Sequence, residues 1–329
     1  MTGIDRRVLA GTALAMLACV ACADESTSPA AVVPAGASLA VAGAGDDAVG
    51  VSPYFADVNR RAAAAGARVA VSRAELLMSA NAAVKAPRII FANDRTLRLE
   101  SRWVPRDLRR LSTDATLTYG VFAPFAVASV GGPAEAAFDA TFATWNAVGC
   151  SNLQVRKKVL APGQIPSFIL TGLFPPADIN DVGFVPGEFF ELVFGPGSSQ
   201  TTIGVTVTFT FIQIGQNGLP VLDANGNAIP TDIDGDGRWD TAFKEVWFND
   251  ALQYSSTGAP GRIDIQSMAL HEHGHALELG HYGKIVGDPK TGKLHVSPRA
   301  VMNAVDLGVQ RSPLGTDNAA LCGNYASWK

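Results

Sequence analysis

The sequence predicts a mixed α+β protein with a long N-terminal segment, and three observations carry that reading. Apolar residues recur at helical spacing in one stretch (Phe138, Phe142, Trp145) and alternate with threonine in another (Val205–Phe211). Hydrophobic residues make up 47% of the 329 positions, enough for a sizeable core, while the charged share is 17% against a typical value of about 25%. That balance excludes a disordered chain or a coiled coil. The length suits two domains or one large domain with attachments. A net charge of −4 excludes a nucleic-acid binder. Beyond the first 23 residues no apolar run approaches the ~18 positions that span a bilayer.

The chain opens with an export signal over 1–22: Arg6 and Arg7, then the short apolar run Val8–Ala21. Two exits are open. Ala21-Cys22-Ala23 fits ordinary secretion, whereas Cys19 or Cys22 could carry a lipid, with the Ala/Gly/Ser/Pro-rich stretch 23–50 as a tether. The arginine pair weakly suggests twin-arginine export, with general secretion favoured. The protein is thus expected outside the cytoplasm, with a lipid anchor as its one membrane contact. Either cut leaves Cys150 and Cys322 as the cysteines of the folded body, and an exported protein with such a pair is expected to join them; two buried thiols are the alternative.

Residues 51–111 form a distinct N-terminal segment. Asp57–Met78 reads as an Ala- and Arg-rich helix, and Arg88–Leu99 as one or two strands. Positions 51–110 hold 12 basic and 5 acidic residues, a net +7, whereas 111–329 hold 12 basic and 20 acidic, a net −8. The change places a boundary near Ser112. Arg109-Arg110 is a candidate processing site there, so the segment is either a removable pro-segment or a permanent subdomain.

From 112 onward the elements are a strand at Leu117–Phe122, a helix over 133–148 and a half-buried strand at Val205–Phe211. Pro133 stands at the first position of that helix and Gly149 at its end. A polar, turn-rich stretch over 217–240 follows, and Lys244–Asn249 reads as another strand. No solenoid or propeller repeat is present.

Four of the five histidines fall within 271–281. His271 and His275 are four apart, so a helix places both imidazoles on one face, able to share one Zn²⁺. Ile263–Leu279 reads as that helix, with Asp264 as its N-cap. Glu272 lies beside the pair and can reach a metal-bound water. His281 joins them only if the chain bends after about Leu277. Three neutral imidazoles with one open position make a catalytic zinc arrangement.

These residues resemble the metzincin metalloproteases, and within them the matrixins. The motif HExxHxxGxxH matches at His271, Glu272, His275 and His281. The runs GHALELGH and Ser267-Met268-Ala269-Leu270 are similar to matrixin sequence, as is Ala140–Leu153. Val301-Met302-Asn303 supplies a Met-turn 21 residues after His281. The likeness covers roughly 113–329, interrupted by an insertion around 155–240. It implies a zincin/metzincin-like catalytic domain over 112–329, with a twisted mixed sheet, two long helices and a Met-turn. It also implies a monomeric zinc endopeptidase acting on a protein or peptide substrate, with Glu272 as general base and Met302 as an apolar floor under the imidazoles. Lys244–Asn249 would be the edge strand against which an extended substrate pairs.

Two departures stand out. Glu278 occupies the position of the family glycine that permits the bend, so Gly280 is an alternative turn and Glu278 an alternative metal ligand. The matrixin structural-zinc histidines have no counterparts. His273 lies off the ligand face, in a solvated role or behind the ligands, and His295 reads as a loop residue. The usual latency cysteine is absent as well, because no cysteine lies between Cys22 and Cys150.

A second metal site, for calcium, is expected at Asp232, Asp234, Asp236 and Asp240, whose alternate carboxylates resemble half a calcium loop with Phe243 at the twelfth position. A solvated acidic turn is the alternative. Two other functions stay open: a zinc amidase acting on cell-wall peptide, and an inactive zinc-containing surface binding protein.

Overall fold

The frame of the molecule is a seven-stranded mixed sheet to which both sides of the Ser112 charge boundary contribute. The computed structural model describes residues 52–81, 89–93, 98–122, 134–288 and 290–328. In chain order the elements are α1 (Pro53–Ala64), β1 (Val69–Met78), β2 (Ile89–Asn93), β3 (Ser101–Arg102), β4 (Thr116–Val121), α2 (Glu135–Asn146), β5 (Gln154–Lys157), α3 (Phe168–Thr171), β6 (Ile179–Val185), α4 (Gly187–Phe194), α5 (Ser198–Thr201), β7 (Thr202–Phe211), β8 (Trp239–Asn249), β9 (Tyr254–Ser255), β10 (Ile263–Asp264), α6 (Ile265–Ala276), β11 (Gly283–Asp288), β12 (Lys293–Ser297) and α7 (Gly315–Tyr325). The leader and tether over 1–50 lie outside the described residues, as does Pro133.

The main sheet runs β1-β7-β8-β6-β4-β5, with β3 also on β8. β1, β7 and β8 pair antiparallel, while β8, β6, β4 and β5 pair parallel. On one face α2 and α6 pack through Phe138, Phe142, Trp145, Met268 and Leu270, all buried. On the other, α1, α3 and α4 bury Phe55, Val58, Phe168, Phe190 and Val193 against Val205, Val207, Phe209, Phe243 and Trp247. A smaller sheet, β12-β11-β2, joins a strand of the N-terminal segment to the two strands that follow the helix carrying the histidines.

Several sequence expectations change here. The single helix over Asp57–Met78 is two elements. Ser52 caps α1, its Oγ accepting from the Phe55 N–H at 3.3 Å, and Pro53 opens it. Gly66, at φ 74°, then turns the chain, and Val69–Met78 continues as a strand. Ala and Arg favour helix locally, but nine residues of β1 find partners on β7 and override that preference. Lys244–Asn249 is part of β8 and lies inside the sheet between β7 and β6, not at an edge. β7 is buried along its whole length instead of half-buried, because both faces are covered. The stretch over 155–240 supplies β6 and β7 to the main sheet.

Arg109-Arg110 is not an exposed pair. Arg110 is buried beside Asp178 at 3.5 Å, and Arg109 is held by Asp107 and Asp240, each at 2.7 Å. Nearby Trp103 is fully buried, its Nε1–H donating to the Ala276 carbonyl at 2.9 Å. Cys150 and Cys322 lie at disulfide distance, with Cα atoms 5.4 Å apart, joining the end of α2 to α7.

Candidate metal centre

α6 begins where Asp264 caps it, the carboxylate accepting from the Ser267 N–H at 3.0 Å, and Arg311 anchors that carboxylate. On this helix His271 and His275 fall one turn apart, with Nε2 atoms 3.0 Å from each other. The chain bends after Leu277 and returns His281, whose Nε2 lies 3.3 Å from that of His271 and 3.1 Å from that of His275. Three imidazole nitrogens thus converge on one point, and the group could hold a metal ion.

The opposite ring nitrogens explain the aim. His271 Nδ1 lies 2.7 Å from the Val301 carbonyl, and His275 Nδ1 lies 2.7 Å from the Leu279 carbonyl. A carbonyl only accepts, so each Nδ1 carries the proton and each Nε2 keeps its lone pair for the shared point. On the outer side of His281, Nδ1 faces Glu75 Oε2 at 3.8 Å. Burial holds the His271 imidazole down to about 4, and holds His275 and His281 well below the usual range. Neutral imidazoles are the form that ligates metals.

Glu272 is completely buried beside the triad. Its Oε2 accepts from Thr206 Oγ1 at 2.7 Å. Burial raises its pKa well above the ordinary carboxylate value, the Thr206 hydroxyl opposes that, Glu75 adds to it, and the Leu77 backbone N–H is close enough to pull it down. Gly204 of β7 makes this approach feasible: a Cβ there would stand 3.0 Å from Glu272 Oε1.

Met302 is buried under the helix, where a side chain on Gly274 would overlap its Sδ. Its turn is held by Asp317, which accepts from the Val301 and Met302 N–H groups at 2.9 and 3.1 Å.

Glu278 adopts φ 62° and makes the bend itself, leaving no need for a turn at Gly280. Its carboxylate points away from the triad. Oε2 accepts from Lys244 Nζ and Ser101 Oγ, both at 2.8 Å, and Oε1 from Thr241 Oγ1 at 2.5 Å. Glu278 is therefore not a metal ligand. His273 is off the ligand face but is not solvated. It is fully buried, with Nε2 2.8 Å from Asp181 Oδ1, a contact between Nδ1 and Thr141 Oγ1, and its ring stacked on Phe142. His295 lies exposed in β12, opposite Val286, instead of in a loop.

Of the four aspartates expected together, Asp232, Asp234 and Asp240 offer oxygens within 4.8 Å of one another. Asp236 stands outside that group and pairs with Arg102 at 2.6 Å. Asp240 is buried and already bound to Arg109 and to Thr231 Oγ1 at 2.6 Å. Phe243, at the twelfth position, is a core residue.

Sequence reasoning did not find Glu75, Thr206, Asp181, Lys244 or Asp317. Each lies far along the chain from the histidine motif it serves, and nothing local marks it. A scan against protein-family models finds no match for this chain, and a search of curated proteins finds none.

Proposed function

We propose that this protein is an exported zinc endopeptidase of the metzincin, matrixin-like type. The observation that carries the reading is the convergence of His271, His275 and His281 Nε2 atoms within 3.3 Å of one another, beside the buried Glu272. The donor set fits the ion: three neutral imidazoles, two of them oriented by carbonyls behind them, are a zinc-ligating set.

Zinc held there supplies an acidified water and a Lewis acid for the peptide carbonyl. The remaining work belongs to the chain. Glu272, on the same helix and shielded from solvent, takes the proton from the attacking water and passes it to the leaving amine nitrogen. Thr206 fixes one carboxylate oxygen and leaves the other for that exchange. Met302 packs beneath the helix without ligating, and Asp317 keeps its turn in place.

Export, a lipid anchor or free secretion, a monomeric state and calcium at Asp232, Asp234 and Asp240 belong to the same proposal. Zinc content and hydrolysis of an unfolded protein, measured beside Glu272→Ala, test it. A chain that binds one zinc and cleaves cell-wall peptide but no protein is an amidase. One that binds zinc and cleaves neither is a binding protein.

A further inference from the structure

β7 is the strand nearest Glu272, and its outer edge is not open. β1 fills it, with Leu77 opposite Gly204, Leu76 opposite Val205 and Glu75 opposite Thr206. Gly204 and Thr206 are the two β7 residues that crowd Glu272. Strand alternation sends Ala74 and Leu76 to the core on the far face, and Arg73, Glu75 and Leu77 toward the histidines. Glu75 reaches to 3.8 Å from His281 Nδ1. Leu77 stands opposite Gly204, the residue whose Cβ would lie 3.0 Å from Glu272 Oε1, so the Leu76–Leu77 stretch is paired with the β7 position that Glu272 abuts. The Leu77 side chain, buried, borders a recess of mixed polarity, lined by Met268 and Val301 but also by Ser267, His271 and Asp306, where a cavity of about 20 Å³ remains, room for about one water.

The opposite rim holds the same strand. The Met78 N–H donates to the Ala304 carbonyl at 3.1 Å, and the Met78 carbonyl accepts from the Asp306 N–H at 2.9 Å. An extended chain paired to a sheet edge on one side, bonded to the segment after Met302 on the other and pointing alternate side chains into the site is how a peptide binds by strand addition.

We propose that β1 sits in the peptide-binding cleft as a bound peptide does, with the Leu76–Leu77 bond presented to Glu272 and Leu77 in the pocket beside it. This rests on the endopeptidase reading and adds an internal target to it. Hydrolysis there consumes one water: its hydroxyl joins the Leu76 carbonyl carbon, the C–N bond breaks, and the proton goes to the Leu77 nitrogen. The chain then ends at a Leu76 carboxylate and begins again at a Leu77 amine. The cut parts α1 and Val69–Leu76 covalently from the body, to which Phe55, Val58 and Ala74 still hold them by packing.

Intact mass and N-terminal sequencing of the zinc-loaded full chain test this, beside Glu272→Ala, Leu77→Asp and Leu77→Met. The expected result is a new N-terminus at Leu77 in the wild type and Leu77→Met. The cut should be absent in Glu272→Ala and slowed by roughly tenfold or more in Leu77→Asp, which puts a charge where Leu77 packs in the hydrophobic core. A wild-type chain that cleaves an external peptide yet stays whole, or is cut elsewhere, overturns the proposal. If the chain binds zinc but hydrolyses nothing, the endopeptidase reading has failed, and the seating is judged on the visible spectrum of the cobalt-substituted protein. Glu75→Gln and Leu77→Asp should each shift its bands while Leu77→Met leaves them in place; spectra identical in all four proteins overturn the seating.

Discussion

Lys244 Nζ lies 2.8 Å from Glu278 Oε2, and both side chains are completely buried. Lys244 also donates to the His275 carbonyl at 2.8 Å, so one ammonium ties the last turn of the metal-site helix to the residue that bends the chain after it. At φ 62° a non-glycine residue costs about 1–2 kcal/mol. The ion pair, with Ser101 and Thr241 completing the carboxylate's hydrogen bonds, holds Glu278 there and delivers His281 to the other two histidines.

Glu278→Ala should therefore destabilise the protein by about 3–5 kcal/mol, because it leaves a buried lysine without its counter-charge. Zinc affinity should fall with it. Thermal unfolding and metal titration measure both, and a variant with wild-type melting and zinc affinity would remove the bend from the account. The double variant Lys244→Met/Glu278→Gly, which removes both charges and relieves the backbone, should recover much of the stability.

Glu272→Ala should keep zinc and lose turnover by at least ~100-fold, since it removes the proton carrier and spares the ligands. His281→Ala should instead weaken zinc binding itself. Zinc content by mass spectrometry beside peptide hydrolysis separates the two. Full activity in Glu272→Ala would sink the mechanism.

Glu245, buried in β8, provides a pH test away from the metal centre. Burial pushes its carboxyl up to about 8, against hydrogen bonds from Ser167 and the Phe168 and Ile169 N–H groups. The folded protein then binds a proton that the unfolded chain releases near pH 4.5. Stability from this group is present at low pH and declines by about 1.4 kcal/mol per pH unit between 4.5 and about 8. Glu245→Gln, which cannot ionise, should show a flatter stability profile over that window in denaturant titrations. Parallel profiles for the two proteins would show that the carboxyl titrates normally.

A chain beginning at Ser112 should be insoluble or unfolded. It loses β1 and β3 from the sheet, Trp103 from the core and the Arg110–Asp178 contact. Expression and circular dichroism decide this, and a folded, active product would restore the boundary read from charge.

Calcium should raise the melting temperature through Asp232, Asp234 and Asp240 by mass action, about 2.7 kcal/mol at a hundredfold excess over Kd. Asp232→Asn should abolish the response. A melting temperature indifferent to calcium, with zinc retained, would leave the loop to the Arg109 and Arg102 ion pairs it already makes.

How much of this was legible beforehand follows from distance along the chain. In the helix over Glu135–Asn146 the apolar residues Phe138, Phe142 and Trp145 recur at helical spacing, so its buried face can be read locally, as can the Asp264 cap and the i, i+4 spacing of His271 and His275 on the helix over Ile265–Ala276, which is buried nearly all round. The helix–strand break within 57–78 was missed because Ala and Arg favour helix and a single Gly66 had to be weighed against them. The sequence by itself determined the three histidines that could hold a metal, their spacing, the glutamate beside them and the need for a bend. Tertiary structure alone decided that Glu278 makes the bend, that Lys244 secures it, that Thr206 and Asp317 brace the site, and that β1 lies across it. Those partners are joined by strand register and side-chain packing across tens to more than a hundred residues, as in the pairing of Glu75 with Thr206. Local periodicity carries no record of such pairings, because they are fixed only when the sheet assembles and the core closes around them.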